Sequence, residues 1–236
     1  MNWERALLGV RQQTHSQGDI LLIYCSERPK PVIKTCIFHK EATFLQKKLL
    51  SYLKSFKENE GGHVLYTFEE TAVSLSHAAT FIEAAAKAGD PVAVIESEKN
   101  IPFLYTKLKG LLTEEEFKNV HFINNFSYYM SNGNFHPPTV EKHFARIVDH
   151  YFHEDATLHT WARVEWGDEA TAFEMIADFE DKADRTVSGR KMISVCAYDK
   201  KRLSVDLINR LRPNHQYHMS DTDFTISLEY NPAKVK

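Results

Sequence analysis

Glycine is scarce in this chain: nine residues in 236, beside eight prolines. Neither GxxxxGK[ST] nor GxGxxG occurs. The loops in which backbone N–H groups cradle phosphates are therefore missing, which argues against classical NTP hydrolysis and against Rossmann-type dinucleotide use. Cysteine is scarcer still. Cys25, Cys36 and Cys196 are an odd number with no CxxC pair, so a disulfide framework is not expected and a reducing cytoplasm fits best. An excess of one charge is also lacking. With 29 basic and 32 acidic residues the net charge is −3, and the broad positive footprint of a nucleic-acid binder is missing. The longest apolar runs, Ile20–Cys25 and Val92–Ile95, fall far short of the ~20 residues that span a bilayer. The opening MNWERALLGVRQQ has neither the basic start nor the apolar centre of a signal peptide. There is no GxSxG elbow for a nucleophilic serine.

What is present is an ordinary globular composition, 43% apolar and 26% charged, in a length of about one and a half domains of ~150 residues. The sequence divides near Asn59–Gly62, where ENEGG interrupts a lysine-rich helical pattern. Residues 1–60 read as a small α+β extension, a candidate dimerising or partner-binding element. It would hold a short helix over 4–13, strands at Ile20–Cys25 and Val32–Phe38 around the turn SERPKP, and an amphipathic helix over 41–57. An exposed N-terminal strand pair would leave an edge that a homodimer covers.

From residue 61 to 236, strand and helix alternate. Strands are expected at His63–Thr67, Val92–Glu96, Val120–Ile123, Thr157–Val164 and Met192–Tyr198, with a final edge strand at Asp223–Glu229. Thr67 to Glu70 and Thr113 to Glu116 match capping boxes that open helices. Gly89 is placed to end the first of these helices. Asp168 and Ser204 can cap two more, and Thr139–Phe152 is amphipathic. The polar, aromatic segment 124–137 reads as a long loop. This order implies βαβ crossovers, hence an α/β fold with a mostly parallel sheet and helices on both faces. Ligands in such sheets sit at the carboxyl ends of the strands. After the first of these strands, where a phosphate loop would stand, the chain has TFEETAVS. That stretch has no glycine or lysine, and its two glutamates repel phosphate.

Four groups of residues invite chemistry. His136, His143, His150, His153 and His159 fall within 24 residues. Their spacing allows metal binding with Glu154 and Asp155, or pH sensing, but also a plain flanking role beside an apolar helix stripe. Cys36 and His39, with Cys25 and His63, are conceivable zinc ligands without a paired knuckle. Cys196 lies inside an apolar strand, where a thiol is normally inert, and a pairing with His63 or His215 is the alternative. Last come aromatic and polar residues at strand ends: Tyr66, Phe68, Trp161, Trp166 and Tyr198 with Glu96, Arg163 and Glu165. These suit either a small-molecule pocket or core-rim packing.

Residues 62–216 resemble the MEDS domain, a sensory domain named after methanogen and methylotroph proteins. The resemblance rests on His63-Val-Leu-Tyr66, on Lys87-Ala-Gly89-Asp90 followed by Val92-Ala-Val-Ile95, on Thr160-Trp161-Ala162 with Glu180 downstream, and on Val195-Cys196-Ala-Tyr198-Asp199 with His215 beyond. It implies a RecA/KaiC-like fold without Walker motifs and a sensory role toward small organic compounds. The expectation is a non-catalytic cytoplasmic regulator that binds a small molecule or a signalling partner and acts through a separate kinase or transcription regulator. The residues singled out for ligand binding are His63, Tyr66, Glu96, Trp161, Arg163, Cys196 and Tyr198. No cofactor, metal, nucleic acid or membrane is expected. The rival readings are an interaction module that regulates a kinase or an anti-sigma system without a ligand, and a metal- or Cys/His-dependent hydrolase.

Overall fold

The computed structural model describes residues 45–56, 61–151, 156–190 and 192–230. A helix over 45–56 (α1) precedes β1 (Gly62–Phe68), α2 (Thr71–Lys87), β2 (Val92–Glu96), α3 (Ile101–Lys109), α4 (Glu114–Phe117) and β3 (Val120–Asn124). Then follow α5 (Asn125–Tyr129), α6 (Pro137–Tyr151), β4 (His159–Arg163), α7 (Glu169–Gly189), β5 (Ile193–Asp199), α8 (Val205–Leu211), β6 (Tyr217–Ser220) and β7 (Phe224–Ile226). The seven strands form one sheet in the order β3-β2-β4-β5-β1-β6-β7. All neighbours are parallel except β6 and β7. All six parallel strands therefore present their carboxyl ends along one edge.

The α/β reading holds. β1 and β5 are mostly apolar and almost wholly buried because both are central: β5 pairs with β4 and β1, and β1 with β5 and β6. Burial on both faces selects such runs. One apolar core joins α1 to α4 with Val64, Tyr66, Phe68, Val94, Trp161 and Val195. The other joins α5 to α8 with Leu65, Ile95, Ala162, Cys196 and Tyr198. The helix over 45–56, placed by the sequence in the extension, buries Leu45, Leu49 and Phe56 completely in the first of these cores. Tyr52 stacks on Phe224 at 4.4 Å. The remainder of 1–44, with Cys25, Cys36 and His39 and the two proposed N-terminal strands, lies outside the described residues.

Local signals hold in part. Thr113 and Glu116 form a reciprocal capping box, Ser204 caps α8, and Gly89 has φ +80 at the end of α2. The capping box at Thr67 does not form. The strand continues through Phe68, and α2 begins at Thr71 after Glu70, whose side chain makes no cap. Pairing on both flanks holds Thr67 extended, and a distant carboxylate takes over the cap. The expected loop 124–137 contains α5, because Tyr128, Tyr129 and Phe135 are drawn into the second core. β6 carried no clear signal; its only apolar neighbours in sequence are Tyr217 and Met219.

Candidate functional site

Side chains alternate across a strand, so residues of odd separation on one strand face opposite cores. That parity divides the polar residues of the sheet into two clusters.

The first lies on the α2 face, near the carboxyl edge. Tyr66 donates its phenol hydrogen to Oδ1 of Asp221 at 2.8 Å. The other oxygen of Asp221 accepts the backbone N–H groups of Glu69 and Glu70 at 3.0 and 2.9 Å. A side-chain carboxylate thus occupies the β1–α2 turn, where a phosphate loop would hold its anion. Oη of Tyr66 also lies 3.1 Å from Nδ1 of His77. Because the phenol hydrogen is committed to Asp221, His77 donates through Nδ1–H and its Nε2 keeps the lone pair. Burial, with Lys107 adding to it and Asp221 opposing, lowers the pKa of His77 to about 4. Burial and Asp221 push the phenol of Tyr66 far above its ordinary value. Trp161 meets Tyr66 edge-on at 5.7 Å. The guanidinium of Arg163 lies 4.3 Å over the ring of Phe68, and its Nε sits 2.6 Å from Oε1 of the buried Glu96. That oxygen also accepts from Ser97 N and Asn100 Nδ2. Four atoms here have no hydrogen-bond partner among the described residues: Nε2 of His77, Nε1 of Trp161, Nη2 of Arg163 and Oε2 of Glu96.

The second cluster lies on the opposite face, between the sheet and α7. Nε2 of His63 is 3.4 Å from Sγ of Cys196 and 3.5 Å from Oε2 of Glu180. Glu180 Oε2 is also 3.5 Å from Sγ of Cys196 and from Nε2 of His215. Tyr198 donates to the other oxygen of Glu180. Nδ1 of His63 donates to the carbonyl of Asn214 at 2.9 Å and faces Asp184 at 3.2 Å; Nδ1 of His215 donates to the carbonyl of Leu211 at 2.8 Å. Burial opposes charge on His63, but Cys196, Asp184 and Glu180 outweigh it and raise its pKa well above the ordinary value. His215 moves the other way, lowered by burial and by the charge on His63. Burial works against the Glu180 carboxylate too, yet the imidazoles of His215 and His63, each with Nε2 3.5 Å from its Oε2, hold it well below the carboxylate range. Burial and the Glu180 carboxylate push the thiol of Cys196 up to about 11. A buried thiol of that kind is a poor nucleophile.

The family model for the methanogen/methylotroph, DcmR sensory domain matches residues 62–216, well over half of the chain. The chain belongs to the MEDS family. That membership gives it a signalling or regulatory role. No curated protein matches it. Among solved structures, an ATPase domain is similar with a TM-score of 0.41 and 8% identity, over 68% of this chain and 69% of that one.

The MEDS domain's seven expected ligand residues do not form one site, which corrects the single strand-end pocket of the sequence reading. Tyr66, Glu96, Trp161 and Arg163 meet on the α2 face, whereas His63, Cys196 and Tyr198 belong to the α7 face. The reason is parity: His63 and Tyr66 are three apart on one strand. Among the described residues the histidine run 136–159 does not converge either. His136 bonds Thr139, His143 bonds the carbonyl of Tyr128, and His159 pairs with Asp90; His153 lies outside the described residues. Trp166 and Glu165 join at the rim through Arg202, which lies over the Trp166 ring and pairs with Glu165. His77 and Asp221 escaped the sequence reading. His77 stands on the buried stripe of α2 with Ser74, Ala78 and Phe81, a signal open to a helical-wheel reading. Asp221 had none. A groove of about 230 Å³ between α6 and α7, lined by Phe144, Val148, Phe179, Lys182 and Arg190 among others, contains no residue of either cluster. Among the described residues, no helix is long and apolar enough to cross a membrane.

Proposed function

We propose that this MEDS domain senses a small organic compound on the α2 face of the sheet's carboxyl edge. It performs no chemistry of its own and reports to a regulatory protein, a kinase or a transcription regulator. Carrying this reading are the buried polar atoms left without partners there among the described residues. Each such atom costs about 1–3 kcal/mol when unsatisfied, so a set of them gathered in one place favours a guest that satisfies them. Trp161 Nε1 and Arg163 Nη2 are donors; Glu96 Oε2 and His77 Nε2 are acceptors. A complementary guest carries a carbonyl or carboxylate oxygen and a hydroxyl or amine, with an apolar body against Tyr66, Phe68 and Trp161. A guest that prefers one arrangement of the loops after β1, β2 and β4 shifts their population, and that shift is what the partner reads.

Native mass spectrometry of the protein purified from its own host, followed by thermal-shift measurements with a panel of small carboxylic acids, alcohols and amines, tests the reading. We expect a retained organic mass or a compound that raises the melting temperature. Trp161→Phe, which removes only the indole N–H donor and part of the ring, should weaken binding by about 5–10-fold, the equivalent of one hydrogen bond. A bare chain with no response to any compound, or a response that Trp161→Phe and Arg163→Met leave unchanged, overturns it.

A further inference from the structure

We propose that His63, Glu180, Cys196 and His215 form a tetrahedral site for one divalent transition-metal ion, Zn²⁺ by the character of its donors. The proposal does not rest on the small-molecule reading, which concerns the other face of the sheet, and it departs from the sequence-based expectation of no metal.

The four donor atoms all lie within 4.8 Å of one another. Four of their six separations are known: 3.4 Å from His63 Nε2 to Cys196 Sγ, and 3.5 Å from Glu180 Oε2 to each of His63 Nε2, His215 Nε2 and Cys196 Sγ. A tetrahedron built on Zn–N and Zn–O bonds of about 2.0–2.1 Å and a Zn–S bond of about 2.3 Å has edges of about 3.3 Å between N and O and about 3.5 Å to sulfur. Those four separations match these edges, and the other two lie within 4.8 Å. Hydrogen bonding alone does not account for it: Nε2 of the fully buried His215 makes no hydrogen bond among the described residues.

The surroundings prepare each ligand. A backbone carbonyl can only accept, so the carbonyls of Asn214 and Leu211 fix a hydrogen on Nδ1 of His63 and His215. In the neutral imidazoles the Nε2 lone pairs then face the cluster, the arrangement by which second-shell groups orient ligating histidines. Tyr198 holds the second oxygen of Glu180 and leaves the first to ligate. The two imidazoles stack at 4.0 Å with 29° between their planes; loading the ion turns them apart so that both lone pairs converge. With a thiolate, a carboxylate and two neutral imidazoles, a divalent ion makes a site of zero net charge, which suits complete burial. A thiolate with two imidazoles selects Zn²⁺ over Mg²⁺ or Ca²⁺. Four protein donors leave no vertex for water or substrate, so the ion staples β1, β5, α7 and the turn after α8 rather than activating a nucleophile.

The test is a Co²⁺ titration of the full-length chain after stripping with a chelator, followed by displacement with Zn²⁺. We expect one Co²⁺ per chain, a thiolate-to-Co²⁺ charge-transfer band, intense tetrahedral d–d bands, and loss of all of them on adding Zn²⁺. A chain that unfolds on stripping and refolds with Zn²⁺ supports the site equally. Cys196→Ser should abolish the charge-transfer band and weaken binding by more than the roughly 10–100-fold typical of a lost second-shell contact. A folded, stripped wild-type chain that binds no Co²⁺ overturns the proposal and leaves a buried imidazolium–carboxylate network. Octahedral Co²⁺ without a thiolate band, or binding indifferent to Cys196→Ser, also overturns it by placing the ion on surface histidines. The wild-type titration decides the matter even if Cys196→Ser does not fold.

Discussion

Tyr66 and Asp221 stand 155 residues apart in sequence, and their side chains meet at 2.8 Å. Through Asp221 the phenol is tied to the backbone that opens α2, since the same carboxylate accepts the N–H groups of Glu69 and Glu70. The start of α2 thus depends on the β6–β7 turn. Asp221→Ala leaves the phenol of Tyr66 and two N–H groups without this acceptor. Urea unfolding should show a loss of about 1–3 kcal/mol, and Tyr66→Phe in the same background should cost less than it does alone. Additive losses would mean that the two residues act independently.

Glu96 and Arg163 form a buried ion pair in which the carboxylate is inaccessible and the guanidinium is shared with the Phe68 ring. Arg163→Met strands the carboxylate and should cost about 3–5 kcal/mol. The double variant Glu96→Gln, Arg163→Met should recover part of that. A double-mutant cycle from chemical denaturation measures the coupling, and zero coupling would contradict the geometry.

His77 gives the fold a pH dependence of known sign. Its folded pKa of about 4 lies below the ordinary 6.5, so as the pH falls the unfolded chain takes up the proton first. The stability that His77 contributes is complete above about pH 6.5. It drains away between there and pH 4, by about 3 kcal/mol at most. Tyr66, Asp221 and Lys107 surround the ring and are unchanged in His77→Asn, which keeps a donor for Tyr66. Stability measured against pH should be flatter over that window in His77→Asn than in the wild type; equal slopes would refute the assignment.

Gly62 opens β1 beneath Phe56. A Cβ at residue 62 would stand 3.1 Å from that ring, and Phe56 is fully buried at the end of α1. Gly62→Ala should therefore destabilise by about 1–3 kcal/mol through overpacking. Adding Phe56→Leu should relieve most of that loss in a thermal melt. A Gly62→Ala melt that matches the wild type would show that α1 yields without cost.

The layered architecture was legible because it depends on local periodicity. Apolar runs in GHVLYTF and ISVCAYD require strands buried on both faces, the 3.6-residue repeat in 139–152 requires a helix, and Thr113 and Ser204 cap through neighbours three residues away. Such signals involve residues close in sequence, which share a face whatever the rest of the chain does. The residues that carry the family resemblance, His63, Glu180, Cys196 and His215, were also in view one by one.

Their meeting point was not in view, because strand order and crossover paths bring together positions that no sequence spacing connects. His63 and Cys196 touch because β5, the fifth strand in sequence, lies beside β1. Tyr66 and Asp221 touch because β6 flanks β1 on its other side. The same topology sent Thr67 into the sheet rather than into a cap, since pairing on two flanks outweighs a local hydrogen bond. The sequence by itself determined most of the strands and helices, though not α5 or β6, and that no phosphate loop is present. Only the tertiary structure decided that the expected binding residues divide across the sheet, because facing is set by strand parity and proximity by topology.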